Sequence, residues 1–79
     1  MNIKILGSGC ANCKKLQVAT QDVVTALGVN ATIEKVEDLQ LIMGYGVMRT
    51  PALVINEKVK AFGRIPSKDE LKKLIQDEA

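Results

Sequence analysis

Two cysteines stand as Cys10-Ala11-Asn12-Cys13, between a short apolar segment, Ile3 to Leu6, and a run with helical periodicity. Two thiols separated by two residues at a helix start lie about one turn apart, close enough to join as a disulfide and to open it again. This placement needs a strand that ends, a sharp turn and a helix that starts at once. Gly7-Ser8-Gly9 supplies the turn, with Gly7 and Gly9 giving the backbone its freedom. The pattern points to redox chemistry, the plain alternative being two small buried hydrophobes that happen to be close.

The remaining elements follow from periodicity. Asn2 to Leu6 is the first strand. Leu16, Ala19, Thr20, Val23, Ala26 and Leu27 recur at three- and four-residue spacing, which predicts a helix over 11–27 ended by Gly28. Ala31 to Val36 mixes β-branched residues with Glu34 and Lys35, as an edge strand does. Asp38 is the N-cap of a brief helix carrying Leu39, Ile42 and Met43 on one side, closed by Gly44 and Gly46. Ala52-Leu53-Val54-Ile55 is uninterruptedly apolar, the pattern of a strand covered on both faces. Asn56-Glu57 turns it into a second strand, Lys58 to Phe62. There Lys58 and Lys60 alternate with Val59 and Ala61, leaving one charged side that discourages edge pairing. Gly63 lets the hairpin pass into the last helix, where Ser67 and Glu70 form a capping box ahead of Leu71, Leu74 and Ile75. The order is βαβαββα.

Seventy-nine residues are material for one domain, since a chain of this size buries only ~60% of its unfolded surface. Eleven basic and nine acidic residues leave +2, too little for the dense phosphate neutralisation of a nucleic-acid binder. The start has no basic segment leading into a long apolar one, and no run approaches the ~18 apolar residues of a membrane span. Neither nucleic acid nor membrane is expected as a partner, and the expected location is the cytoplasm. In that reducing compartment a lone cysteine pair serves redox or metal chemistry more often than cross-linking.

A C-x-x-C after the first strand, Thr50-Pro51 before the hairpin and a closing helix together resemble a minimal thioredoxin fold over essentially the whole chain, 1–79. Gly46-Val47-Met48-Arg49-Thr50-Pro51-Ala52-Leu53 resembles the thioredoxin and glutaredoxin stretch that ends in a cis-proline. The Gly-Cys-Ala-Asn-Cys motif and Phe62-Gly63-Arg64-Ile65-Pro66-Ser67 are most similar to the small redox-active disulfide proteins of prokaryotes. The resemblance implies an α/β thioredoxin-like fold: a four-stranded mixed sheet, three helices on its two faces, the second and fourth strands at the edges. It also implies a thiol-disulfide oxidoreductase, an enzyme of the electron-carrier kind that needs no cofactor. Its partners would be protein dithiols and disulfides, with an unidentified disulfide reductase as electron donor, and it would act as a monomer.

Within that expectation, Cys10 precedes the helix and is the exposed nucleophile, because free N–H groups and the positive end of the helix dipole favour its thiolate. Cys13, one turn in, is more buried and resolves the mixed disulfide. The resemblance makes the Thr50-Pro51 bond cis and has Thr50 offer its backbone to an extended substrate. Gly9, Ala11 and Asn12 support the motif, Asn12 either tuning the potential through its amide or facing solvent. Lys14 and Lys15 either add positive potential or are simply solvated, and Tyr45 packs against the short helix rather than lining the site. Three departures stand out. Gly9 precedes the motif where thioredoxins carry an aromatic residue, Ala11-Asn12 replaces Gly-Pro, and Lys4 occupies the place of the buried acid, so Cys13 must lose its proton to water or another group. Soft-metal or metalloid transfer through the same two thiolates is the alternative. Two thiols without histidine do not make a zinc site.

Overall fold

The computed structural model describes residues 1–7 and 11–78. Its elements are β1 (Asn2–Leu6), α1 (Ala11–Leu27), β2 (Thr32–Val36), α2 (Leu39–Gly44), β3 (Ala52–Ile55), β4 (Lys58–Phe62) and α3 (Lys68–Glu78). The sheet runs β2-β1-β3-β4. β1 pairs parallel with β2 and antiparallel with β3, which in turn pairs antiparallel with β4. This is the mixed α/β sheet expected, with β2 and β4 at the edges.

Alternation along the strands sends side chains to two cores. Ile3, Ile5, Leu53 and Ile55 meet Leu16, Val23 and Val24 of α1 and Leu71 and Ile75 of α3. On the other face Leu6, Val36, Ala52 and Val54 meet Ile42 of α2 and Val47. All four residues of β3 are buried, which is why that segment tolerates no polar side chain. On α1 the buried stripe is Leu16, Thr20, Val23 and Val24, whereas Ala26 faces solvent. At 100° per residue Val24 lies closer than Ala26 to the line through Leu16, Thr20 and Val23.

The caps follow the sequence with two adjustments. Gly28, at φ 67°, ends α1, its N–H donating to Val24 O at 3.0 Å. Asp38 Oδ1 accepts from Gln40 N at 2.8 Å and Leu41 N at 3.4 Å, capping α2. Asn56 and Glu57 both have positive φ, the mirror-image turn that suits the twist of a two-residue hairpin. At α3 only half of the capping box forms: Ser67 Oγ accepts from Glu70 N at 3.2 Å. The Glu70 carboxylate turns instead to Arg64, both oxygens accepting from the guanidinium, since a bidentate charged pair outweighs one neutral amide. In β4 the register shifts so that Ala61 opposes Leu53 and Val59 opposes Val54, leaving Lys60 as the extra residue of a bulge. The expected strict alternation is broken there, and both Lys58 and Lys60 reach Glu78 of α3, at 3.2 and 3.0 Å.

Candidate active site

The pairing of Leu6 with Ala52 brings the residues that follow β1 beside those that precede β3. Gly7 therefore lies against the Thr50-Pro51 segment, and its N–H donates to Val36 O at 2.9 Å. Cys13 sits in the first turn of α1, 1% exposed. A Cβ built on Gly7 would collide with Cys13 Sγ and stand 3.6 Å from Thr50 Cβ. Three residues from three segments thus converge at one end of the sheet. No cysteine is free among the described residues, and Cys13 is disulfide-bonded.

The Thr50-Pro51 bond is cis. Pro51 is buried at the start of β3, while Thr50 is exposed. From Thr50 an apolar groove of about 270 Å³ extends over Leu39, Ile42, Met43, Val47 and Met48. Leu39, Met43 and Met48 are 67%, 65% and 92% exposed, so the side that Leu39, Ile42 and Met43 share, as expected, borders this groove instead of being wholly buried. This six-residue helix buries one residue, Ile42, while Leu39 and Met43 border the groove and Leu41 is exposed. Ala11 and Asn12 are exposed in the first turn of α1, while Cys10 and Gly9 lie outside the described residues.

Lys4, at the place of the family's buried acid, points to the α2 face. Its ammonium donates to Tyr45 Oη at 2.9 Å and to Glu57 Oε1 at 2.6 Å, and Tyr45 Oη donates to Glu57 Oε2 at 2.9 Å. These bonds raise the Lys4 pKa far above its ordinary value, the Glu57 bond contributing most, and Lys4 and then Tyr45 lower that of Glu57. Lys4 is therefore a fixed cation with no lone pair to accept a proton. Tyr45 packs against the α2-side core, as expected, but also closes this network, which the sequence reading missed. Gly7 has a further task that its place in the turn does not reveal, making room for the Cys13 sulfur. The usable signal for that was its position one residue beyond an apolar strand that runs straight toward the C-x-x-C.

A buried cysteine in the first turn of a helix, facing a cis-proline segment across the end of a mixed sheet, defines a thioredoxin-fold protein of the thiol-disulfide oxidoreductase class. The thioredoxin-domain family profile matches residues 1–76, and the chain belongs to that family. It is 37% identical over 75 residues to a thioredoxin of Methanothermobacter thermautotrophicus, covering 95% of this chain and 97% of the relative. A thioredoxin of Methanocaldococcus jannaschii is 34% identical over 70 residues, 89% of this chain and 80% of the relative. Among solved structures, the germline-specific thioredoxin Deadhead of Drosophila melanogaster superposes with a TM-score of 0.66 over 99% of this chain and 80% of its own, at 14% identity, a likeness of fold. No helix among the described residues is long and apolar enough to cross a membrane.

Proposed function

We propose that residues 1–79 act as one thioredoxin-like domain, a cytoplasmic, monomeric protein-disulfide oxidoreductase that cycles Cys10 and Cys13 between dithiol and disulfide. The observation that carries this is the convergence of Gly7, buried Cys13 and exposed Thr50. It leaves the second sulfur of a C-x-x-C shielded while the backbone beside it is open to a substrate strand. The Cys10 thiolate attacks one sulfur of a protein disulfide. That S–S bond breaks, the other sulfur leaves as a thiolate with the electron pair, and a mixed disulfide forms. Cys13 gives its proton to water, since protonated Lys4 cannot take it, and attacks the Cys10 sulfur. The second substrate thiolate then leaves. The substrate has gained two electrons and, after protonation, two protons, and the Cys10–Cys13 disulfide holds the oxidised equivalents. A dithiol of the disulfide-reductase class returns two electrons and restores both thiols.

Thr50 is the substrate-binding residue, its backbone pairing with the extended chain that carries the disulfide, and Pro51 keeps that segment at the sheet end. Gly9, Ala11 and Asn12 shape the rim of the motif. Insulin reduction driven by dithiothreitol tests the reading. Wild type accelerates it, Cys10→Ser abolishes the acceleration, and Cys13→Ser accumulates a mixed disulfide visible by mass spectrometry. Unchanged exchange in both variants overturns it.

A further inference from the structure

We infer that the end of α1 beside the cysteine pair is a docking surface for an acidic partner segment, one that carries carboxylates on both sides of an aliphatic side chain next to its disulfide. The inference rests on the exchange reading given above and adds the chemistry of the partner. Lys14 and Lys15 follow Cys13 in the chain, and Arg49, whose side chain runs past Gly63, precedes Thr50, so three cations are next in sequence to the two residues that meet at the site. All three are exposed, and among the described residues none has a carboxylate within ion-pair distance.

Six other cations are paired, Lys4 with Glu57, Lys35 with Glu37, Lys58 and Lys60 with Glu78, Arg64 with Glu70 and Lys68 with Asp22, while Lys72 and Lys73 of α3 also stand without an ion pair among the described residues. The carboxylate that caps α2, Asp38, is occupied by backbone amides. The charges that follow Cys13 and precede Thr50 have no ion pair among the described residues and are open to a partner outside the chain.

Their position also runs against local stability. Cations near a helix N-terminus oppose the macrodipole, and the first turn of α1 carries no acidic residue, unlike that of α3, which has Asp69 and Glu70. Beside the two lysines a groove of about 370 Å³ is floored by Val18 and Ala19 and lined as well by the Asp22–Lys68 ion pair. Val18 is 61% exposed. With Lys14 and Lys15 unpaired and Lys68 paired to Asp22, the rim carries a net positive charge over an apolar floor, which fits an aliphatic side chain flanked by Glu or Asp. Charges at such a rim act mainly through the association rate and its salt dependence.

Two synthetic peptides, each closed by one disulfide around the same central leucine and flanked by either glutamates or lysines, test this. The ratio of their kcat/KM values cancels any effect of the lysines on the thiolate itself. For wild type in ~20 mM salt the glutamate peptide is expected to be favoured by about tenfold, the preference shrinking toward unity near ~0.5 M salt. In K14E/K15E/R49E the preference should invert. Equal kcat/KM for the two peptides, or a preference that survives the charge reversal, overturns the inference. Turnover of neutral hydroxyethyl disulfide reports the exchange reading separately. If that turnover is absent, calorimetric binding of the same peptides with their cysteines S-methylated decides: tighter binding of the glutamate peptide, lost in the variant, supports the docking surface, and equal binding overturns it.

Discussion

A methyl group added at Gly7 would overlap Cys13 Sγ and lie 3.4 Å from its Cβ, at a backbone φ of 155° that L side chains rarely adopt. Gly7→Ala must therefore push Cys13, Thr50 or β1 aside, an overpacking change of ~1–3 kcal/mol. The urea midpoint should fall with the m-value unchanged, and the exchange rate per folded molecule should fall with it. Gly44→Ala is the control: nothing lies within 4 Å of its Cβ position and its φ is not positive, so stability should hold or rise by ~0.4–1 kcal/mol. At this scale the sequence displays chemistry better than contact. The burial of Cys13 and the tie between Asp38 and α2 could be read from spacing. Lys4 could be placed opposite the family's acid, yet its partners Tyr45 and Glu57 stand 41 and 53 residues away and meet it only once β1 has paired with β3.

The last turn of α3 is fastened to β4 by one carboxylate. Lys60 first, then Lys58, hold the Glu78 carboxyl below its ordinary pKa, just as Arg64 does for Glu70 and Lys4 for Glu57. A carboxylate whose folded pKa is depressed stabilises the fold above its unfolded value, and that contribution disappears as pH falls through the folded value. Melting temperature should therefore drop on acidification from about pH 5 toward pH 2. Glu78→Gln should make that drop shallower without removing it, because Glu57 and Glu70 still titrate, while lowering the melting temperature at pH 7. A series of thermal melts in both proteins checks it. Element order and type followed from periodicity alone: α1 begins and ends as the spacing predicts, and β3 is covered on both faces. What spacing did not give was the bulge at Lys60 and the turning of Glu70 to Arg64. Both depend on how two elements meet, in one case a register and in the other a long cation brought close by the Gly63 turn.

The site is built from segments that rest on two unequal cores. α1 and α3 share the larger core with one face of the sheet, whereas the segment from α2 to Thr50 rests on the smaller one, where Ile42 and Val47 meet Leu6, Ala52 and Val54. Cutting back Leu71 or Ile42 removes comparable buried hydrocarbon, and each Ala variant should cost ~2–5 kcal/mol. A domain of this length has only roughly 4–12 kcal/mol to lose, so both are best studied near ~15 °C, around the usual stability maximum. Their effects on exchange should differ. Leu71→Ala loosens α3, which contributes no residue to the Gly7–Cys13–Thr50 contact, and exchange per folded molecule should stay within about twofold of wild type. Ile42→Ala removes the one α2 side chain that faces the sheet, which frees the groove wall and the segment leading to Thr50. Its kcat/KM for a peptide disulfide should fall by about tenfold or more, since a small misplacement of a positioning backbone can cost up to ~100-fold. Insulin reduction rates normalised to the folded fraction by circular dichroism separate the two cases. Equal losses in both variants would mean that the site is held by the sheet as a whole and not by the α2 side.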